Sequence, residues 1–278
     1  ICLVGCEEGE EGGQPVIFKH GPVAKLEKER DNLEIWGELW PGLTPRLRAF
    51  VPGEGDGQAA MLLEYIRGET LKDMFVNSHR FPQARDELAG ALNLMGELWR
   101  ETREDKEVRA GFARQAEKRL GSVAALYPDL IAFDGAVGHL EIKALAAILD
   151  EARKLERAVP APFTVRVHGD FNLSNIMREA QSGAYRLIDL YRSRLSDYVQ
   201  DLSVMILSIL RLPLSGVAQR DYSFGAATPV WEFARKFAED NYDPTAEARL
   251  AFGLARSFLT SARFEPRRSV ATRFMGYS

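Results

Sequence analysis

The residues best suited to chemistry lie in two stretches of the C-terminal half, HGDFNLSNIM (168–177) and RLIDLYRSRLSDYVQDLS (186–203). Asp170 follows a short predicted strand, Asn175 comes later in the same loop, and Asp189 ends a second predicted strand. Carboxylate and amide oxygens suit Mg²⁺, which takes few protein ligands and completes its shell with phosphate oxygens and water. We therefore expect Asn175 and Asp189 to hold magnesium, while Asp170 accepts the proton of an attacking hydroxyl.

The composition sets the class of protein before any element is placed. The chain has 278 residues, of which 46% are hydrophobic and 27% charged, so it can bury a core and is not a disordered chain. Its formal charge of −4 provides no basic field for a polyphosphate backbone, and we expect no nucleic-acid partner.

Cysteine usage and hydropathy predict a cytoplasmic protein that does not enter a membrane. Cys2 and Cys6 fit neither a disulfide framework nor a zinc site, and their shared strand parity with Val4 predicts small buried side chains. No apolar stretch reaches the roughly 20 residues that span a bilayer. Because the sequence begins with Ile1, we expect an N-terminal piece to be missing from it.

The N-terminal part reads as mostly β with one helix. Runs 1–6 and 15–19 predict a hairpin around EEGEEGGQ, and 46–51 and 60–66 predict two more strands. Between them, 22–40 has the apolar spacing of a helix, with Leu26, Leu33, Trp36 and Trp40 on its buried face.

The rest of the chain is mainly helical. Two short strands, 163–170 and 184–189, could pair with each other across an intervening loop. All four tryptophans, including Trp99 and Trp231, fit core positions of helices. Apolar periodicity predicts helices around 88–99, 107–126, 136–158, 197–211, 229–240 and 245–262.

The motif H-G-D-x-x-x-x-N at 168–175, here called the HGD loop, resembles the catalytic loop of the aminoglycoside phosphotransferase family. The run IDLYRSRLSDYVQD (188–201) is similar to the metal-binding aspartate of that family and its downstream aspartate, here Asp201. The family shares the protein-kinase-like fold with choline and homoserine kinases. The resemblance implies a two-lobed α+β fold, with a small β-rich lobe at 1–66 and a larger, mainly helical lobe at 67–278.

The resemblance also implies roles for individual residues. Lys19 would bind the ATP phosphates and pair with a glutamate on the next helix, which we take as Glu29 with Glu27 as the alternative. Asp170 would be the catalytic base, with Mg²⁺ held by Asn175 and Asp189, and Asp201 would brace the HGD loop from a buried position. Backbone groups of the hinge between the lobes would bind adenine at Glu64, Tyr65 and Ile66.

Two features depart from the family pattern. The segment EEGEEGG is acidic and would repel phosphate, so we expect the phosphate loop to precede Ile1. Tyr191 stands two positions after Asp189, where Gly or Glu is usual in the family, and it cannot replace a carboxylate ligand of a second metal ion.

The sequence predicts an ATP-dependent small-molecule kinase and leaves its acceptor and oligomeric state open. The C-terminal segment carries Arg263, Arg267, Arg268 and Arg273, whereas a pocket for a polycationic aminoglycoside needs carboxylates. If this segment lines the acceptor site, a neutral or anionic alcohol fits better. The alternatives are a nucleotide-binding regulatory module or pseudokinase domain of a larger protein, and a protein kinase.

Overall fold

The computed structural model describes residues 1–4, 15–53, 55, 57–137, 139–212 and 217–276. The predicted acidic turn EEGEEGGQ and Cys6 lie outside these residues. The strands are β1 (Cys2–Val4), β2 (Val16–Pro22), β3 (Leu47–Pro52), β4 (Gln58–Glu64), β5 (Gly68–Thr70), β6 (Gly135–Val137), β7 (Leu140–Ile142), β8 (Val165–Val167), β9 (Ile176–Glu179), β10 (Tyr185–Leu187) and β11 (Arg194–Ser196). The α-helices are α1 (Val23–Leu39), α2 (Leu71–Val76), α3 (Phe81–Glu101), α4 (Phe112–Ala124), α5 (Pro128–Ile131), α6 (Leu145–Ala158), α7 (Val199–Leu210), α8 (Val217–Asp240), α9 (Ala246–Ser261) and α10 (Arg268–Gly276).

The chain forms two compact units. The first contains Ile1–Asn93 and His168–Arg194, and the second contains Leu94–Val167, Leu195–Arg211 and the described residues from 217 onward. These units divide the chain differently from the predicted lobes 1–66 and 67–278, because β9 and β10 form a sheet with β5 and bring the HGD loop into the first unit.

A four-stranded antiparallel sheet is the centre of the first unit, in the order β1-β2-β4-β3. β4 alternates buried and half-buried residues, with Ala59, Met61 and Leu63 inside, as expected for a sheet covered on one face. The predicted β1–β2 hairpin and the helix at 22–40 are confirmed, although Trp40 is only half-buried and Cys2 is exposed. The prediction of a buried Cys2 is wrong because β1 is an edge strand.

The predicted pairing of strands 163–170 and 184–189 is wrong. β10 pairs with β9, which begins directly after the HGD loop, and a tight turn with Gly183 at φ +68° connects these two strands. β8 pairs instead with β11 in the second unit. The four-residue β9 is too short to show a period of apolar residues in the sequence.

In the second unit, the predicted helix 136–158 begins later than expected. β6 (Gly135–Val137) pairs antiparallel with β7 (Leu140–Ile142), and α6 starts only at Leu145. Trp231 is also not a core residue, since 41% of it is exposed on α8. No helix among the described residues is long and apolar enough to cross a bilayer.

A buried ionic network in the second unit joins α9 to the residues just before α7 and to the connection between α8 and α9. Arg249 Nε donates to Asp197 Oδ2 at 2.7 Å, and Arg249 Nη1 donates to Asp243 Oδ1 at 2.9 Å. Tyr198 Oη donates to the other oxygen of Asp243 at 2.8 Å. Burial raises the pKa of Asp197, and the Arg249 charge opposes that rise. The arginine therefore compensates two carboxylates that have no access to solvent.

We expect Arg249→Met to destabilise the protein by about 3–5 kcal/mol, because it leaves two buried aspartates without their counter-charge. The free energy of unfolding in urea measures this loss. Lys236→Met is the matched control: it removes one partner of an exposed ion pair with Asp240 and should cost at most about 1 kcal/mol. Equal losses in the two variants would contradict a structural role for the network.

Candidate active site

Lys19 on β2 and Glu29 on α1 form a buried ion pair in the first unit. Lys19 Nζ contacts Glu29 Oε1 and lies 3.3 Å from Asp189 Oδ1. Glu29 is 1% exposed and Lys19 9% exposed, and burial raises the pKa of Glu29 against the opposing effect of the Lys19 charge. The partner of Lys19 is thus Glu29 and not Glu27. The lysine forms a second ion pair with Asp189.

α1 fixes the segment that follows Asp189. One turn after Glu29, Asn32 Nδ2 donates to the carbonyls of Leu190 at 2.8 Å and of Ser193 at 3.2 Å. One turn further, Trp36 Nε1 donates to Ser193 Oγ at 2.8 Å. Trp36 is buried as predicted, whereas Asn32 is not among the residues predicted for the site. The signal that could have found Asn32 is its helical spacing from Glu29, which places a second polar side chain on the buried face of α1.

His168 braces the HGD loop. Its Nδ1 accepts a hydrogen bond from the Asp170 backbone N–H at 3.3 Å, and its Nε2 donates to the Ile188 carbonyl at 3.1 Å. These partners fit a neutral ring with the proton on Nε2. The ring is fully buried, and desolvation lowers the pKa of His168 to about 4. Histidine here acts as a neutral hydrogen-bonding strut rather than as a base.

Backbone hydrogen bonds bring together the three residues predicted to do chemistry. Asn175 Nδ2 donates to the Asp170 carbonyl at 2.9 Å, and the Ile188 N–H donates to the Asn175 carbonyl at 3.1 Å. Asp189 is therefore attached directly to a residue that is bonded to the HGD loop. It has φ +64°, a left-handed conformation that aspartate tolerates better than most residues.

Arg192 contacts the predicted base. Its Nη1 lies 3.0 Å from Asp170 Oδ2, and both side chains are partly accessible to solvent. Gly169 makes this approach possible, because it has φ +82° and a Cβ there would lie 2.3 Å from the Arg192 carbonyl oxygen. Arg192 is not among the predicted site residues, because the motif spacing does not indicate that its side chain contacts Asp170.

Tyr191 lies two positions after Asp189, where a carboxylate could bind a second metal ion. Lys25 Nζ lies 4.2 Å from the centre of its ring, and the Arg192 guanidinium lies 4.9 Å from it. The Tyr191 hydroxyl accepts a hydrogen bond from Arg192 Nε at 2.5 Å. The Tyr191 ring therefore makes cation–π contacts with Lys25 and Arg192. It provides no carboxylate for a second metal ion.

Asn175 and Asp189 offer donors that suit one magnesium ion. Because the Asn175 amide nitrogen is bonded to the Asp170 carbonyl, its Oδ1 is the atom left for a cation. The Asp189 carboxylate is 31% exposed and accessible to a ligand. Within the described ranges, no group of three or more His, Cys, Asp or Glu side chains could hold a metal ion by itself. A magnesium ion here would need phosphate oxygens to complete its shell, as is usual for nucleotide-bound Mg²⁺.

Glu64, the first residue of the predicted adenine-binding hinge, has partners within the first unit. The Glu64 backbone N–H donates to the Arg46 carbonyl at 2.9 Å, and its carboxylate pairs with Arg186 at 3.0 Å. Glu64 is therefore engaged within the unit at the end of β4. Adenine binding by backbone groups of Glu64, Tyr65 and Ile66 stays a prediction.

A family model described as "Phosphotransferase enzyme family" (APH) matches residues 10–237, which is most of the chain. The chain belongs to this family. The resemblance stated from the HGD loop is thereby confirmed, and the matched range contains Lys19, Glu29, the HGD loop and Asp189. No curated protein sequence is significantly similar to the chain.

Solved structures show the same fold. The aminoglycoside phosphotransferase APH(3'')-Id from Streptomyces rimosus, in complex with ADP and streptomycin, is 21% identical over 88% of this chain and 86% of its own, with a TM-score of 0.56. A thermostable mutant of aminoglycoside phosphotransferase APH(4)-Ia, with AMP-PNP and hygromycin B, is 15% identical over 99% and 90%, with a TM-score of 0.59. Plasmodium vivax ethanolamine kinase is 13% identical over 95% and 72%, with a TM-score of 0.53. The predicted α+β, protein-kinase-like fold of this phosphotransferase is confirmed.

The buried neutral His168 should make stability depend on pH. Its pKa is about 4 in the folded protein and near 6.5 when unfolded, so the unfolded chain binds an extra proton between these values. The contribution is complete above pH 6.5 and is lost as the pH falls toward 4. We expect the free energy of unfolding to fall by about 2 kcal/mol between about pH 7.5 and about pH 5 from this group alone.

Urea unfolding at the two pH values tests this expectation, with His168→Gln as the control. Glutamine keeps a neutral side chain that can hydrogen-bond but removes the titration. The variant should therefore be less stable near neutral pH yet lose about 2 kcal/mol less than the unaltered protein on acidification. The same pH dependence in both proteins would show that His168 does not cause it.

Proposed function

We propose that this protein transfers the γ-phosphoryl group of ATP to a hydroxyl group of a small molecule. The observation that carries the proposal is the convergence of Lys19, Glu29 and Asp189 with the HGD loop in one compact unit. Two of the structural relatives were solved with ADP or AMP-PNP, which supports a nucleotide as the phosphoryl donor.

In the proposed reaction, Asp170 positions the acceptor hydroxyl and accepts its proton as the oxygen attacks the γ-phosphorus. The bond from the γ-phosphorus to the bridging β–γ oxygen breaks, and ADP leaves. Lys19, held by Glu29, orients the phosphates and offsets their negative charge. Arg192 fixes the Asp170 carboxylate through the ion pair at 3.0 Å, which is a positioning role.

Asn175 and Asp189 would hold Mg²⁺, and this ion would neutralise charge on the β- and γ-phosphate oxygens when bound. The chain supplies the orientation of those two ligands. Asn175 is fixed by its bond to the Asp170 carbonyl, and Asp189 by the hydrogen bonds that secure Ile188 and Leu190 on either side of it. Because Tyr191 provides no carboxylate, the site would hold one Mg²⁺ ion rather than two.

For the acceptor, we propose a neutral or anionic alcohol rather than a polycationic aminoglycoside. The basis is the arginine-rich C-terminal segment, of which Arg267 pairs with Glu265 and Arg268 with Asp129. These two ion pairs reduce the positive excess of the segment on which the proposal depends. The relatives named for aminoglycosides and for ethanolamine show that the fold accepts alcohols of very different size.

A non-catalytic nucleotide-binding module is the second candidate. Tyr191 favours it, because this side chain occupies the position of a possible metal ligand. The presence of Asp170, Asn175 and Asp189 together favours a working enzyme. ATP binding without ADP formation, across a panel of alcohols and a protein substrate, would identify the non-catalytic module.

Asp170→Asn tests the proposed base. The amide keeps the shape of the side chain but cannot accept the proton, so turnover should fall by about 100-fold or more. Nucleotide affinity should change by less than about threefold, because Asp170 is not a proposed phosphate or metal ligand. ADP formation with ATP, Mg²⁺ and a pooled panel of alcohols measures turnover, and ³¹P NMR detects the phosphomonoester.

Asp31→Asn is the matched control, since Asp31 is an exposed aspartate of α1 that pairs with Arg30. It should keep full turnover. Retained turnover in Asp170→Asn would remove Asp170 from its proposed role, and efficient phosphorylation of kanamycin or streptomycin would overturn the proposed acceptor class.

A further inference from the structure

A cavity of about 860 Å³ in the second unit has no lining residue in common with the proposed active site. The start of α7, the last turns of α8, the connection 241–245 and the start of α9 form its walls. We call it the α7–α9 pocket, after its lining side chains Tyr198, Trp231, Arg235, Glu239, Tyr242 and Glu247. Its lining residues do not include Lys19, Asp189 or any residue of the HGD loop. Its volume lies in the range of about 300–1,000 Å³ that is usual for small-molecule sites.

Two aromatic side chains stand at the pocket in contact with solvent. Trp231 is 41% exposed and Tyr242 is 89% exposed, whereas Trp36 and Trp99 are completely buried. Tyr242 also has φ +55°, at a helix end where glycine is the usual residue. Large aromatic groups that remain exposed beside a concave surface are typical of binding sites.

The charged side chains around the pocket are mainly acidic. Glu232, Glu239 and Glu247 are exposed and line it, and Arg235 is the one basic side chain among the described lining residues. Arg235 Nε lies 4.0 Å from Glu239 Oε1, a distance at which an exposed pair is weak. In the part of the chain that the structure describes, Glu232 and Glu247 form no ion pair. The rim therefore carries a net negative charge that is free to act on a ligand.

The floor of the pocket is held rigidly. Asp243 and Tyr198 line it, and both belong to the buried network in which Arg249 joins Asp197 to Asp243. This network fixes the connection after α8 against the first turns of α7 and α9. A preformed site of this kind binds a ligand without the entropic cost of ordering its walls.

The carboxylates do not form a metal site, because no group of three or more possible ligands converges anywhere in the described ranges. Aromatic faces and separated carboxylates instead suit a cation that is large, weakly hydrated and partly apolar. Such a cation gains from the π-faces of Trp and Tyr and from the negative rim together.

We propose that the α7–α9 pocket binds a small organic cation, an alkyl- or arylalkyl-ammonium compound, with its charge against Trp231 and Tyr242 and near Glu247. No lining residue of this pocket is a proposed phosphoryl-transfer residue. The inference does not depend on the proposed function, since binding can be measured without ATP and without turnover.

Isothermal titration calorimetry of the full chain with benzyltrimethylammonium chloride tests the proposal. Benzyl alcohol and benzenesulfonate serve as neutral and anionic probes with the same ring. We expect saturable binding of the cation with an affinity about tenfold or more above that of benzyl alcohol, and no binding of benzenesulfonate. Equal binding of the three probes, or no saturable binding of the cation, would overturn the proposal.

Variants locate the binding. Trp231→Ala and Glu247→Gln should each weaken the affinity for benzyltrimethylammonium by about fivefold or more, through loss of the π-face and of the charge. Both residues are exposed, and thermal melts check that the variants fold. The matched controls are Phe264→Ala, which removes an exposed aromatic outside the pocket, and Asp240→Asn, which removes an exposed carboxylate of α8 that does not line it.

Two further outcomes would contradict the inference. If Asp170→Asn abolishes binding of the cation while Trp231→Ala leaves it unchanged, the probe binds at the proposed active site. If sedimentation shows an oligomer that Trp231→Ala dissociates, and the cation does not bind, a second copy of the chain covers the pocket. Binding that only the pocket variants weaken would establish the site.

Discussion

A lysine and a glutamate that are both buried must satisfy each other, and much of the first unit follows from that requirement. Lys19 and Glu29 lie on adjacent elements, β2 and α1, so their pairing fixes the rotation of α1 against the sheet. The cost of desolvating two charges is large, and such a pair persists only where the surroundings hold it in place. The same face of α1 then carries Asn32 and Trp36, which bind the segment after Asp189. A single ion pair is thus coupled to the position of the proposed metal ligand.

The HGD loop is fixed in a complementary way, through neutral hydrogen bonds. His168 bonds to the Ile188 carbonyl, and Asn175 bonds to the Asp170 carbonyl, so each polar side chain of the loop holds a backbone group next to a proposed functional residue. A buried histidine with a pKa of about 4 keeps this arrangement neutral near neutral pH. The charges that remain accessible are those of Asp170 and Asp189, together with the partly exposed Arg192.

The candidate site residues that the sequence can indicate are those with fixed local spacing. The HGD loop and Asp189 were recognised from fixed spacings, and most helices followed from their apolar periods. The contact of Arg192 with Asp170, the bonds of Asn32 and the network around Arg249 could not be predicted, because each joins segments that only the tertiary structure brings together. The pairing of β10 with β9 was missed because four residues show too little periodicity. Trp231 was misassigned because a helical spacing does not reveal whether its face is covered.

In the second unit, one set of buried residues stabilises the fold, and a different set of exposed aromatic residues lines the proposed ligand pocket. Arg249, Asp197 and Asp243 have no solvent access and hold three helices together, while Trp231 and Tyr242 remain exposed above them. A rigid charged network beneath an aromatic surface is consistent with a ligand site whose shape exists before the ligand arrives.

The central claim is that the residues around Lys19 and Asp189 bind a magnesium triphosphate. Calorimetric titration of ATP, with and without Mg²⁺, into the unaltered protein and into Asp189→Asn tests this claim most directly. The account predicts tighter ATP binding with Mg²⁺ in the unaltered protein and loss of that dependence in the variant. Affinity that ignores Mg²⁺ in the unaltered protein, or a dependence that survives in Asp189→Asn, would contradict it.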